Sequence, residues 1–194
     1  MRAFPLPILA ALLACSCSTP TDHFYTLIGD APAATAEGNN GPSVLIASIT
    51  LPEAVDRSEL VLRKGPNRVA VMDTRRWAES LKSAIPRVLA NDLAPLLDNA
   101  AVSTAEDNLG QSAKYQLRLD VTRFDINLGG TEAIDVAWVI RRTSGAPEVS
   151  GKAALRVAAR GGEFEDAVAA QSQALAQLSN EIAKQIKGLE KGGN

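Results

Sequence analysis

Apolar and polar residues alternate through Val44–Leu51 and the run stops at Pro52, as along a strand with one buried face. A shorter β-prone run covers Glu59–Arg63, a Gly65-Pro66-Asn67 turn comes next, and from about Asp73 the spacing changes. Trp77, Leu81, Ile85, Val88 and Leu89 recur at helical intervals while Glu79, Lys82 and Arg87 face away. That spacing predicts an amphipathic helix, capped by Asp73 or Thr74 and ended by the Asn91–Pro95 region. Pro86 removes one backbone hydrogen bond inside it, at about 3 kcal/mol in a regular helix, and predicts a kink or a break.

The second half of the chain switches back to a period of two. After a polar stretch, Asn99–Lys114, around one short strand (Ala101–Ser103), the run Tyr115–Val121 alternates strictly. Tyr115, Leu117, Leu119 and Val121 share one face, with Gln116, Arg118 and Asp120 on the other. Ile134–Ile140 and Gly151–Ala159 repeat the pattern, with turns at Leu128–Thr131 and Ser144–Pro147. Three strands on short connections predict an antiparallel meander. A last helix runs from about Glu163 to Lys187, with Phe164, Val168, Leu175, Leu178, Ile182 and Ile186 on one side, and 189–194 reads as a polar tail. The fold class is α/β in the α+β sense: a single domain with a mixed, largely antiparallel sheet packed by two main helices.

The front of the chain obeys a different rule. Met1-Arg2 and the apolar Ile8–Leu13 have the build of a signal peptide over 1–14, too short to span a bilayer. Leu12-Leu13-Ala14-Cys15 matches the bacterial lipobox, so Cys15 is the expected lipidation site; the alternative is an ordinary signal peptide with a stray cysteine. Two or three acyl chains at roughly 0.8 kcal/mol per buried methylene hold a protein on the bilayer. Cys17 is the alternative modified residue, on the poorer match Ala14-Cys15-Ser16; with Cys15 lipidated it is the one thiol left, and no internal disulfide forms. Residues 15–42 read as a lipid anchor and tether containing a short first strand, His23–Leu27.

Composition narrows the chemistry. Aromatics make up only 4% of the chain, so Leu, Ile and Val form the core, with Trp77 and Trp138 as its few large members. A formal charge of −2 leaves no electrostatic footprint for nucleic acid. The single histidine, His23, has no carboxylate or second imidazole spaced to assist it, and the reading is a surface or packing residue. Gly129-Gly130 and Gly161-Gly162 lack the lysine and spacing of a phosphate loop and read as turns. We therefore expect no catalytic residues, metal site or cofactor. The candidate surface is the segment after the first long strand, where Pro52, Glu53, Asp56 and Arg57 form a shaped, charged loop beside a sheet edge. A loop that merely connects core elements is the alternative.

Several short motifs together carry a resemblance. They are Cys15-Ser16 and Phe24-Tyr25-Thr26-Leu27, then Leu51-Pro52-Glu53 with Asp56-Arg57, then Arg76-Trp77-Ala78-Glu79 and Arg87-Val88-Leu89-Ala90. Tyr115-Gln116-Leu117 through Arg123-Phe124 and Ala174-Leu175-Ala176 through Leu178-Ser179 and Glu181-Ile182-Ala183 complete them. In order and spacing the chain resembles the ABC-type transport auxiliary lipoprotein family (PqiC/YmbA-like), with 43–188 as its auxiliary α/β domain. The resemblance implies a non-enzymatic subunit of an intermembrane lipid transport system, with an MCE-domain protein and an inner-membrane ABC transporter as partners and a possible homo-oligomer. Ser16 adds a location: an aspartate directly after the lipidated cysteine commonly retains lipoproteins in the inner membrane, so serine points to the outer membrane, periplasmic face. Two other classes fit an anchored domain without a catalytic constellation, namely an activator of a peptidoglycan synthase and a carrier that binds lipid itself.

Overall fold

The structure, a computed structural model, describes residues 21–30, 40–107, 112–145 and 148–192. The predicted signal peptide, Cys15, Cys17 and most of Ala31–Gly41 lie outside the described residues.

Among the described residues eight strands form two mixed sheets. The larger has the order β5-β2-β6-β7-β8, built from β2 (Val44–Thr50), β5 (Val102–Thr104), β6 (Tyr115–Asp125), β7 (Thr131–Arg142) and β8 (Glu148–Ala158). β5, β2 and β6 run parallel, and β6, β7 and β8 are the antiparallel meander that the alternation predicts. Leu117, Leu119 and Val121 are buried on one face while Arg118, Asp120 and Thr122 are exposed on the other, as predicted from the period. The smaller sheet has the order β1-β4-β3, from β1 (His23–Tyr25), β3 (Glu59–Gly65) and β4 (Arg68–Trp77). The two sheets touch where Arg63 N–H donates to the Ile126 carbonyl at 2.8 Å.

Two helices cover the inner face. α1 (Leu81–Leu96) lies against β2 and β5, α2 (Phe164–Lys191) against β7 and β8, and the helices pack on each other. The core is aliphatic, with Trp77 and Trp138 both buried as its large members. Small residues allow close approach: a Cβ on Gly151 of β8 would meet the Trp138 ring at 2.3 Å. Trp138 Nε1 donates to Gln185 Oε1 of α2 at 2.8 Å, so the indole is fixed at both ends.

The predicted helix start is wrong by about eight residues. Asp73 and Thr74 belong to β4, and the helix is capped by Ser80, whose Oγ accepts from Ser83 N–H at 3.2 Å. β4 escapes the alternation rule because its large apolar residues point the wrong way: Val69 and Val71 are exposed while Ala70 and Met72 face inward. Trp77 ends that strand four residues before Leu81, which is why it continues the helical stripe in sequence. Neither proline breaks α1, which runs through Pro86 and Pro95 as one helix, one residue past the expected end. Asp98 and Asn99 then take left-handed φ values of 58° and 59°, conformations that short polar side chains tolerate as the chain leaves the helix.

α2 also outlasts its predicted end at Lys187. Leu189 packs on the core, and Glu190 receives Lys114 Nζ at 2.7 Å and the Tyr115 hydroxyl. These contacts keep the last turn helical to Lys191.

Candidate docking surface

The N-terminal segment is fastened to the body. β1 pairs in parallel with the end of β4, Tyr25 against Trp77, and Leu27 is fully buried. Arg87 of α1 secures the chain just beyond β1: its guanidinium donates to the Leu27 carbonyl at 3.0 Å and grips the Glu79 carboxylate, at 3.1 Å from Nε. Three motifs that are far apart in sequence, Phe24–Leu27, Arg76–Glu79 and Arg87–Ala90, thus meet in one knot. Further on, Ile28 N–H donates to Ser172 Oγ of α2 at 3.2 Å and Asp30 N–H to Asp92 Oδ1 of α1 at 3.0 Å. Within the segment read as anchor and tether over 15–42, residues 23–30 are therefore docked on the body, because Tyr25 and Leu27 gain more by entering the core than the free chain gains in entropy.

The predicted docking residues sit in the loop between β2 and β3. Its shape comes from the backbone: the Pro52 carbonyl accepts from Val55 N–H at 3.0 Å and Asp56 N–H at 3.2 Å, and the Ser58 carbonyl accepts from Trp77 N–H at 2.7 Å. Leu51 and Val55 pack on the core. Asp56 meets Lys82 at 2.5 Å, and Arg57 meets Glu59 at 3.1 Å. Glu59 in turn pairs with Arg76 at 3.3 Å, and Arg76 with Asp22 at 3.6 Å, so a line of alternating charges runs from the loop to β1. The hydrogen bond from Arg57, first, and then its own backbone amide hold the Glu59 carboxyl below its ordinary range. Pro52 thus shapes the turn, Asp56 and Arg57 are engaged in surface pairs, and Glu53 stands exposed with no ion pair among the described residues.

A second group of polar residues lies where the two sheets meet, and sequence patterning does not reveal it. Asp125 at the end of β6 receives Arg63 at 2.6 Å and Arg123 at 2.5 Å. Burial pushes its carboxyl up, but the two guanidinium groups outweigh burial and hold it below the usual range. Glu132 of β7, fully buried, accepts from Asn127 N–H at 3.0 Å and from Gln171 Nε2 at 3.2 Å. Among the described residues no cation pairs with it, and burial pushes its pKa up to about 7 against the opposing Asn127 and Gln171 hydrogen bonds, with Asp125 adding to the rise. Gln171 Oε1 is buried with no hydrogen-bond partner among the described residues. Glu132 and Gln171 are fully enclosed, while Arg63 and Arg123 reach the solvent.

The surface carries hollows among the described residues. A cleft of about 680 Å³ at the far ends of both helices is lined by polar and apolar groups alike, among them Leu97, Ile186, Asp98, Lys114 and Glu190. A groove of about 510 Å³ lies between β1 and the start of α2, where Phe24 and Ile28 stand over Val168 and Ala169. His23 borders this groove on an edge strand. Among the described residues no cluster of three or more His, Cys, Asp or Glu side chains could hold a metal ion.

Comparison with known proteins places the fold. One solved structure of an uncharacterized protein superposes with a TM-score of 0.70 at 19% identity, covering 86% of this chain and 99% of the other. A protein from Xanthomonas campestris, XCC0632, of family DUF330, superposes at 0.68 and 19% identity, covering 89% and 99%. No curated protein matches. The family model of the ABC-type transport auxiliary lipoprotein component matches residues 25–183, from the Tyr25 strand to the last turns of α2. The chain therefore belongs to the ABC-type transport auxiliary lipoprotein family.

Proposed function

We propose that this protein is a periplasm-facing lipoprotein subunit of an MCE/ABC-type intermembrane lipid transport system, held at the outer membrane by acylated Cys15 and acting as a non-catalytic adaptor. The match of the auxiliary lipoprotein family over residues 25–183 carries the reading. Three features support it. The lipobox ends at Cys15, Ser16 is not the retention residue aspartate, and the β2–β3 loop presents charge on a rigid frame. Pro52, Glu53, Asp56 and Arg57 are the proposed contact with the MCE-domain protein: Pro52 sets the turn, Glu53 is free to pair, and Asp56 and Arg57 can exchange their exposed intramolecular partners for intermolecular ones at small cost.

Fractionation of the envelope tests the placement. Wild type is expected in the outer membrane, Ser16→Asp in the inner membrane, and Cys15→Ala folded but free of both. Wild type in the inner-membrane fraction, or Cys15→Ala still membrane-bound without its partners, would defeat it. Affinity capture from solubilised envelopes is expected to bring down an MCE-domain protein; recovery of a peptidoglycan synthase instead would favour the activator class.

A further inference from the structure

The groove between β1 and α2 has an occupant that the chain's own length indicates. Among the described residues four large hydrophobic side chains are exposed, and the two most exposed, Phe24 at 64% and Ile28 at 61%, both line this groove. They are not free to fold away. Tyr25 and Leu27 on the opposite side of the same segment are buried, and Arg87, Ser172 and Asp92 hold its backbone. The segment is thus a rigid edge that presents two apolar side chains outward.

Phe24 is nine residues beyond Cys15 and Ile28 is thirteen. At roughly 3.3 Å per residue even a fully extended link keeps Phe24 within about 30 Å of an acylated Cys15, so the length of the link permits contact with the headgroups. Charge selects the kind of surface. Asp22, which Arg76 pairs at 3.6 Å, and Glu165 flank the groove, and no lysine or arginine is among its described lining residues, so it offers no cation of its own to draw an anionic partner. The outward main chain of Phe24 on the open edge of β1 finds hydrogen-bond partners in the wet interfacial layer. Resting on the acylation of Cys15 stated above, we propose that Phe24 and Ile28 insert into the interfacial region of the leaflet that holds those acyl chains. The partner is a zwitterionic phospholipid surface, and β1 lies on it.

The test uses the full acylated protein in phosphatidylcholine vesicles, with Cys17→Ser and a single new cysteine at Phe24→Cys, Ile28→Cys or, as a control, Val69→Cys. Each is labelled with an environment-sensitive fluorophore, with and without phosphatidylcholine brominated along its acyl chains. Val69 is also exposed, at 45%, but lies on the β3–β4 hairpin. Labels at 24 and 28 are expected to emit to the blue and to be quenched by the brominated lipid at least twofold more than the label at 69. Vesicles that float with the protein while all three labels are quenched alike would overturn the contact and leave the anchor intact. Protein that fails to float would take down the anchor reading and the contact with it. A blue shift without bromolipid quenching that grows with protein density would put a second copy in the groove and overturn the membrane assignment.

Discussion

Glu132 should make this domain less stable as the pH rises through neutrality, and Glu132→Gln should remove that loss. Its carboxyl is buried among Asn127, Gln171 and the β6–β7 turn with no cation paired to it among the described residues, and burial lifts its pKa from 4.5 to about 7. A folded-state pKa above the unfolded one means that the native protein binds the proton more tightly. The contribution is then fully present below about pH 4.5 and is lost as pH rises through about 7. At 1.36 kcal/mol per unit the loss is about 3 kcal/mol, a large fraction of a small domain's stability. Glutamine keeps the shape and cannot ionise. Urea unfolding of wild type and Glu132→Gln between pH 5 and pH 8.5 should therefore give curves that diverge with pH, the variant gaining about 3 kcal/mol relative to wild type at the alkaline end. Asp125 does not confuse the assay, because its lowered pKa places its own loss below its unfolded value of 3.8. Parallel curves over this range, or a wild type that gains on the variant as pH rises, would refute the reasoning.

Other substitutions probe the packing and the loop. Leu27→Ala, at a fully buried site, should cost about 2–5 kcal/mol in urea unfolding and render the segment around β1 sensitive to limited proteolysis. Gly151→Ala should cost about 1–3 kcal/mol and shift the near-ultraviolet circular dichroism of Trp138, because the new Cβ would overlap the indole at 2.3 Å. Asp56→Ala with Arg57→Ala breaks two exposed ion pairs and should change stability by no more than about 1 kcal/mol, while weakening capture of the partner in a pull-down. Lost stability with retained capture would mean that the loop only connects core elements.

The sequence is readable where one face of an element is buried and the other wet. The meander follows from β6 and β7, whose alternating Tyr115, Leu117, Leu119 and Ile134, Val136, Trp138 are all buried. α2 follows from its apolar stripe, since Val168, Leu175, Leu178, Ile182 and Ile186 all enter the core. β4 is illegible for the opposite reason: its valines point to solvent and its charged residues, Arg75 and Arg76, lie along the small sheet beside β1. The junction of the two sheets rests on the contact between Arg63 and Ile126, which has no local pattern. The loop of Pro52, Glu53, Asp56 and Arg57 is visible from its turn residues and charge, but its partner Lys82 is not, because α1 brings that lysine from 26 residues away. The Glu132–Gln171 pair is legible only in part. Glu132 stands in phase with the buried Ile134, Val136 and Trp138, so the alternation puts its carboxyl on the inner face, but the Asn127 turn and α2, which accommodate it there, leave no mark in the local pattern.

Photocrosslinking at the β2–β3 loop in the intact envelope is the most direct measurement of the adaptor role. A photoreactive amino acid placed at Glu53, which is exposed and outside the ion-pair line, samples what touches the loop without breaking Asp56–Lys82 or Arg57–Glu59. The account predicts one dominant crosslink, to an MCE-domain protein, absent when Cys15→Ala releases the domain from the membrane. A dominant crosslink to a peptidoglycan synthase, or no crosslink at 53 while the intact transport complex is captured from the same cells, would contradict it.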